Sequence, residues 1–191
     1  IRLINQDRNS FAACIVATGD ADAMVTGTTR NYYASLKDIK RVIAIEKEKI
    51  LFGLSIMITR TRTLFIADST VIHTPTSEQL ADIAVQAASK ARALGHTPRV
   101  ALLSFANFGN PTMKGTERIH EAKEILNKRK VDFEYDGEMS ADVALNKELL
   151  ELYPFSGLSE PANILIMPGL HSANIAAKLL GQVGGGQVLG P

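Results

Sequence analysis

The sequence predicts an α/β fold: three αβα layers around a mostly parallel sheet that also carries one hairpin. Segments with apolar residues at helical spacing alternate with short apolar runs, which is typical of a parallel sheet covered by helices on both faces. Runs such as 100–103 and 164–167 are uninterrupted by polar residues, which indicates strands buried on both sides. Two β-rich runs beyond residue 50 predict the hairpin.

The first part of the chain predicts two helices around one short strand. Asn9 or Ser10 is suited to cap a helix that Gly19 ends. Residues 23–26 form an apolar run that predicts a short buried strand before Gly27. Helical spacing of apolar residues predicts a second helix over about 31–45. The charged run 46–49 is interpreted as a solvated linker.

The middle of the chain predicts a hairpin, a long helix and a buried strand. Residues 51–58 and 64–67 are β-rich and flank a polar turn. Thr76 and Gln79 stand in the capping-box spacing, and Gly95 is suited to end the helix that they begin.

The remaining residues predict three more strands and three helices. Thr116 is expected to cap a helix, followed by a strand over 131–135 and a helix over about 140–150. After strand 164–167, a last helix is expected to end at Gly181, with 188–189 as a final strand. Ligands of parallel sheets bind beyond the carboxyl ends of the strands. The segments that leave strands there are therefore predicted to form one polar rim: 104–115, 136–140 and 168–172.

Composition excludes several classes of function. The net charge is +1, from 21 basic and 20 acidic residues, so we expect no nucleic-acid partner. Cys14 is the only cysteine, which excludes an intrachain disulfide and fits a cytoplasmic location. No apolar run is long enough to cross a membrane, and the four histidines lack metal-ligand spacing. The residues by themselves indicate an α/β domain with a polar rim and favour no particular reaction.

Several motifs, in matching order and spacing, resemble the phosphotransacetylase (phosphate acetyl/butyryltransferase) family. Residues 67–81 are similar to its Asp…Pro-x-Pro-x-x-Glu-Gln-Leu-Ala stretch, and 99–104 to its Pro-Arg-Val-Ala-Met-Leu-Ser. Residues 136–142 are similar to its Asp-Gly-x-x-x-x-Asp, and 163–174 to its Asn-x-Leu-Ile-Phe-Pro-Asp-Leu-x-x-Gly-Asn. The resemblance implies an isocitrate/isopropylmalate dehydrogenase-like fold.

The same resemblance implies a domain organisation. It makes 1–47 the end of a first subdomain and 48–191 a second subdomain, with the C-terminal segment of the family missing. That segment carries a Ser-Arg pair and an Asp in the family. We therefore expect the chain to be a piece of a longer protein.

Three departures from the family pattern are informative. Loop 104–110 reads Ser-Phe-Ala-Asn-Phe-Gly-Asn, where the family is rich in Ser, Thr, Gly and Lys. Gly169 stands where the family has Asp, and Lys37 where it has a phosphate-binding Arg. Lys is a point charge whereas Arg presents a planar fork of donors, so the exchange is not neutral. Together with 28–32, these variants are similar to the phosphotransacetylase-type region fused to bacterial NADP-dependent malic enzymes.

Three functions follow from these features. The resemblance implies an acyl-CoA-binding regulatory domain of an NADP-dependent (oxaloacetate-decarboxylating) malic enzyme that acetyl-CoA inhibits. The alternative is a fragment of an active phosphate acetyltransferase, which converts acetyl-CoA and phosphate to acetyl phosphate and CoA. A third possibility is a purely structural oligomerisation domain. We expect no acetyltransferase activity and no cofactor in this chain alone, with NADP and a divalent metal only in other domains of the parent. We also expect a homo-oligomer formed through the second subdomain.

The predicted ligand-binding residues belong to segments that follow apparent strands or to the helix of Lys37. Arg30 and Lys37 are suited to the anionic groups of CoA, and Asn107, Asn110 and Asn174 to its amides or the acyl oxygen. No catalytic residue and no metal ligand is predicted. The predicted acyl-CoA- or phosphate-binding set is Thr26, Gly27, Thr28, Arg30, Lys37, Ser104, Asn107, Gly109, Asn110, His171 and Asn174.

Overall fold

The computed structural model describes residues 6–110 and 116–190. The chain forms two compact units, the first ending at Lys49 and the second beginning at Ile50. Residues 111–115 of the predicted rim loop lie outside the described residues. Within the two described ranges, none of the helices combines the length and apolar character needed to cross a bilayer.

The described residues of the first unit form two helices, α1 (Arg8–Thr18) and α2 (Tyr32–Lys40). The cap of α1 is Asp7, because its carboxylate accepts the amide of Ser10 at 2.7 Å, so the prediction that Asn9 or Ser10 caps this helix is wrong. Helix α1 ends at a left-handed glycine, as predicted. Helix α2 is shorter than predicted, since it ends at Lys40.

The predicted strand over 23–26 is wrong. No residue in the described part of the first unit belongs to a strand, and Val25 is fully exposed. The apolar run suits a strand, but a strand also needs a neighbour that satisfies its backbone groups. The described residues of this unit form helices and loops, and none of them provides a neighbouring strand.

One six-stranded sheet forms the centre of the second unit, and its strands are β1 (Leu54–Ile58), β2 (Thr63–Ala67), β3 (Arg99–Leu103), β4 (Glu134–Met139), β5 (Ile164–Ile166) and β6 (Gln187–Leu189). The strand order is β4-β3-β5-β2-β1-β6. Neighbours from β4 to β2 are parallel, whereas β1 is antiparallel to both β2 and β6. The predicted mostly parallel sheet with a β1–β2 hairpin is confirmed.

Helices cover both faces of this sheet, and their bounds are α3 (Ser77–Ala93), α4 (Glu117–Arg129), α5 (Ala141–Leu145), α6 (Lys147–Leu150) and α7 (Leu170–Val183). Successive strand residues face opposite sides. Phe65 therefore packs in the core formed with α3 and α4, and its neighbour Ile66 in the core formed with α5, α6 and α7. The predicted αβα layers are confirmed.

Helix α3 begins at the predicted capping box. Thr76 Oγ1 accepts the amide of Gln79 at 3.2 Å, and Gln79 Oε1 accepts the amide of Thr76 at 2.9 Å. Beyond the helix, Gly95 has a φ of 85°, the left-handed conformation that glycine adopts without strain. Both signals are local in sequence, which is why they could be recognised there.

Two later predictions are wrong about boundaries. Strand β4 begins at Glu134 and continues to Met139, so 136–140 is mostly strand instead of the predicted rim loop. The helix predicted over 140–150 is divided at Asn146, whose side chain accepts the amide of Glu148 at 2.9 Å and begins α6.

Helix α7 continues through Gly181, where it was predicted to end. A Cβ at this position would lie 2.9 Å from Val188 Cγ2. The glycine therefore allows β6 to approach the helix closely, and it has a packing role rather than a terminating one.

Candidate ligand-binding site

A cavity of about 390 Å³ in the first unit collects four of the predicted binding residues. Sequence reasoning missed the contribution of α1, whose first turn supplies two polar lining residues. Thr26 Oγ1 donates to Asn9 Oδ1 at 2.6 Å, which ties the segment after residue 23 to that helix. The predicted members of the lining are Thr26, Gly27, Thr28 and Arg30, and the polar residues added by α1 are Arg8 and Asn9.

Arg30 lines this cavity with its charge already balanced. Its guanidinium forms ion pairs with Asp7 and with Asp38, the latter at 3.1 Å. Hydrogen bonds from Ser10, followed by the bond from Arg30, lower the pKa of Asp7 to about 2. The same bond to Asp7 raises the pKa of Arg30. A ligand phosphate at this position would therefore compete with two carboxylates for the guanidinium.

Lys37 lies apart from this group. It is exposed in the last turn of α2 and does not line the cavity. It forms no ion pair with a described residue, so its ammonium remains available to an anion.

Loop 104–110 of the second unit uses its backbone amides within the protein. The amides of residues 106, 107 and 110 are accepted by atoms of the loop itself. Those of Phe108 and Gly109 are accepted by Glu138, through its carbonyl oxygen at 2.8 Å and Oε1 at 3.1 Å. All five amides from 106 to 110 therefore have an acceptor. The described loop offers no concave row of free N–H groups of the kind that binds phosphate.

Asn107 joins this loop to the start of α5. Its Oδ1 accepts the amide of Ser140 at 2.7 Å and lies 3.0 Å from Ser140 Oγ. Ser140 Oγ also hydrogen-bonds Asp142, which lowers the pKa of that carboxyl. The side-chain oxygen of Asn107 is thus committed to a structural contact. Ser104 and Gly109 are half-buried in the same loop, and Asn110 is exposed.

Two buried carboxylates support this end of β4, and sequence reasoning missed the burial of both. Glu138 is 1% exposed, and its Oε2 has no hydrogen-bond partner among the described residues. Asp136 is 2% exposed and accepts Lys123 Nζ at 2.5 Å and the amide of Gly157 at 2.7 Å. The sequence offered the Asp-Gly motif as a signal, but its polar residues were interpreted as a loop.

Asp68 organises the turn that follows β2. It is 3% exposed and immediately follows the strand. Its Oδ1 accepts three backbone amides at 2.8–3.0 Å, from residues 53, 70 and 71, and its Oδ2 accepts the amide of Ile72 at 2.6 Å. This carboxylate therefore fixes the segment that leads to His73.

His171 and Asn174 lie in the first two turns of α7, because this helix already begins at Leu170, inside the segment 168–172 that was predicted to be a rim loop. The rings of His171 and His73 have centroids 6.3 Å apart, and the amide of Leu170 donates to the His73 carbonyl at 3.1 Å. Asn174 lines a separate cavity of about 210 Å³. Across residues 6–110 and 116–190, no three His, Cys, Asp or Glu side chains assemble in a way that suits a metal ion.

The family model described as Phosphate acetyl/butaryl transferase matches residues 1–191, and the chain belongs to this family. The chain is 54% identical, over 190 residues, to an NADP-dependent malic enzyme of Rhizobium meliloti, covering 100% of this chain and 25% of that protein. It is 38% identical to a phosphate acetyltransferase of Treponema pallidum, covering 97% of this chain and 59% of that protein. The predicted family and the predicted similarity to malic enzymes are confirmed.

A solved structure gives the same assignment. The phosphotransacetylase from Streptococcus pyogenes matches 94% of this chain and 56% of its own, with a TM-score of 0.86 and 28% sequence identity. The chain therefore spans a quarter of the malic enzyme and just over half of each transferase.

Proposed function

We propose that this chain is an acyl-CoA-binding regulatory domain of an NADP-dependent malic enzyme and that acetyl-CoA inhibits the whole protein through it. The similarity to a malic enzyme along the full chain supports the parent. The observation that carries the regulatory role is loop 104–110, whose amides from 106 to 110 are all accepted within the protein.

A transferase must stabilise charge on the phosphate, with cations or free N–H groups aimed at its oxygens. Loop 104–110 contains no Lys or Arg, and its amides are already used. The acyl end of a CoA thioester is neutral, so it needs neither a cation nor a row of free N–H groups. The exposed Phe105 and Asn110 offer it an apolar surface and an amide. This loop therefore suits recognition of a thioester better than turnover of a phosphate.

Regulation requires that acetyl-CoA bind two states of the whole protein with different affinity. The bound state would then be the one with lower malic enzyme activity. In this proposal, 1–47 is the end of the first phosphotransacetylase-type subdomain and 48–191 is the second subdomain without the family's C-terminal segment. NADP and a divalent metal belong to other domains of the parent. The parent would be a cytoplasmic homo-oligomer, and light scattering can test its oligomeric state.

The decisive experiment uses the whole parent protein. Acetyl-CoA is titrated by calorimetry while malate oxidation is measured in parallel, and we expect saturable binding that lowers the oxidation rate. Lys37→Ala should weaken acetyl-CoA binding about tenfold to a hundredfold, the range for a lost charged contact. Lys40→Ala, an exposed lysine of the same helix, is the matched control and should bind normally. Equal affinity in both variants would show that Lys37 does not contact the ligand.

The alternative is that the parent is an active phosphate acetyltransferase. The 38% identity to such an enzyme favours it. In that reaction the CoA thiolate attacks the carbonyl carbon of acetyl phosphate, the thioester bond forms, and the C–O bond to phosphate breaks with release of phosphate. Formation of acetyl-CoA from acetyl phosphate and CoA at ordinary enzyme rates would establish this alternative. We expect none.

A further inference from the structure

Two histidine side chains meet beyond the carboxyl edge of the sheet, although they are far apart in the chain. His73 belongs to the segment that follows β2, and His171 lies in the first turn of α7, which follows β5. Because β2 and β5 are parallel neighbours, both segments leave the sheet at the same edge. The two imidazole rings have centroids 6.3 Å apart and planes inclined by 62°. Spacing in the sequence could not reveal this pair, because the pairing of two strands produces it.

The backbone holds both histidines in place. Asp68 fixes the segment that leads to His73 by accepting four backbone amides. The amide of Leu170, the residue before His171, donates to the His73 carbonyl oxygen at 3.1 Å. Gly169 allows this approach, since a Cβ there would lie 3.0 Å from the same carbonyl oxygen. Main-chain contacts therefore fix the two residues relative to each other, and their side chains adjust by rotation.

The protein does not use the ring nitrogens of this pair. His73 and His171 are both exposed, and neither ring forms a hydrogen bond or an ion pair with a residue in the ranges 6–110 and 116–190. A neutral imidazole carries one nitrogen with a free lone pair. The pair therefore offers two nitrogen ligands that no other described side chain occupies.

Two imidazoles favour one class of metal ion. Imidazole nitrogens suit transition metals such as Zn²⁺, Ni²⁺ and Cu²⁺, whereas Mg²⁺ and Ca²⁺ prefer oxygen ligands. Zinc binds a histidine nitrogen at ~2.0–2.1 Å, so two nitrogens that share one ion lie at most ~4 Å apart. Ring centroids 6.3 Å apart are close to that arrangement, and rotation of the two exposed side chains completes it. No third His, Cys, Asp or Glu of the described residues joins the pair, so water would fill the other coordination positions.

We propose that His73 and His171 together bind one divalent transition-metal ion, such as Zn²⁺, in an open site. The ion would link the segment after β2 to the start of α7. The inference goes beyond the proposed function and does not rest on it, because neither acetyl-CoA nor malate takes part in holding the ion.

Zinc titration into the whole parent protein tests the shared site. Zn²⁺ is titrated by calorimetry into the wild type, His73→Gln, His171→Gln and His120→Gln, with Mg²⁺ in excess to fill sites built from oxygen ligands. His120 is an exposed histidine of α4 and serves as the matched control. We expect each of the first two variants to bind Zn²⁺ at this site at least about tenfold more weakly, since loss of even an outer-shell partner costs about 10–100-fold. His120→Gln should bind Zn²⁺ like the wild type.

Electron paramagnetic resonance of bound Cu²⁺ gives a second readout. Cu²⁺ binds nitrogen sites more tightly than Zn²⁺, and its hyperfine pattern counts the imidazole nitrogens on the ion. We expect two nitrogens in the wild type and in His120→Gln, and fewer in His73→Gln and His171→Gln. Circular dichroism verifies that the variants fold, which is expected because both substituted side chains are exposed.

Three results of the zinc titration would overturn the inference. They are equal binding by all four proteins, a loss in only one of the two pair variants, and a loss of the same size in His120→Gln. A Cu²⁺ spectrum that keeps both nitrogens in the pair variants would also overturn it. Acetyl-CoA binding and malate oxidation are separate measurements, so failure of the metal site and failure of the proposed function are distinguishable.

Discussion

Glu138 Oε1 accepts the backbone amide of Gly109 at 3.1 Å, so a buried carboxylate at the end of β4 holds the loop that follows β3. Glu138→Ala removes this acceptor, and we expect a loss of ~1–3 kcal/mol from the free energy of unfolding. Glu138→Gln retains the accepting oxygen and should cost less. Urea denaturation measures the first effect, and hydrogen exchange at the Gly109 amide measures the local one. Unchanged exchange in Glu138→Ala would contradict the assignment.

Asp68 is expected to be more sensitive, because four backbone amides depend on it. Asp68→Ala removes both carboxylate oxygens and with them four hydrogen bonds. We expect the free energy of unfolding to fall by at least ~3 kcal/mol, since each hydrogen bond to a charged group contributes ~1.5–3 kcal/mol and the losses are not additive. Asp68→Asn keeps an oxygen for three amides but turns an N–H toward that of Ile72, so it should be intermediate. Equal stability of the two variants in denaturant would argue against this hydrogen-bonding role.

Gly137 is required for close packing between β4 and β3. Its φ is 152°, and a Cβ there would lie 2.6 Å from both Cβ and the carbonyl oxygen of Leu102. Gly137→Ala therefore adds overpacking of ~1–3 kcal/mol to backbone strain of ~1–3 kcal/mol. Gly95→Ala is the control, because Gly95 also has a positive φ but nothing lies within 4 Å of the added carbon. Thermal unfolding should show the larger loss in Gly137→Ala, and a larger loss in the control would refute the packing argument.

Asp7 makes the stability of the first unit depend on pH. Its folded pKa of about 2 is below the ~3.9 of an unfolded Asp, so folding favours the charged form. The resulting stabilisation is present above pH ~4 and is lost as the pH falls toward 2. Asp7→Asn keeps a capping oxygen but does not titrate. The stability difference between wild type and this variant, followed by circular dichroism, should shrink between pH 5 and pH 2. A difference that is constant over that range would show that Asp7 has no depressed pKa.

The sequence predicted those elements whose signals are local. The hairpin, the capping box of α3 and the apolar strands β3 and β5 can each be recognised within a few residues. Strand β4 was misplaced because Asp136 and Glu138 are poor strand formers by themselves. The sheet tolerates them because Asp136 pairs with Lys123 and because both carboxylates accept backbone amides from distant parts of the chain. These contacts are tertiary, so a short segment of sequence does not reveal them.

The sequence predicted several residues that line the candidate site, but it did not predict which residues contact each other there. The sequence placed Thr26, Thr28 and Arg30 in one segment, and they do line one cavity. It did not show that Arg30 is paired with Asp7, which lies 23 residues earlier in the chain. Such pairing depends on how α1 and α2 pack, and no short motif encodes it.

Loop 104–110 has a consequence for the way ligand preference can change. Its course is set by main-chain hydrogen bonds, by Glu138 and by the Oδ1 of Asn107, and none of these contacts uses the side chains of Phe105 or Asn110. Those two positions can be exchanged without rerouting the chain. In the proposed acyl-CoA site, substitutions at these positions would therefore alter what the loop recognises while the protein keeps its fold. A focused library at 105 and 110 would test this expectation.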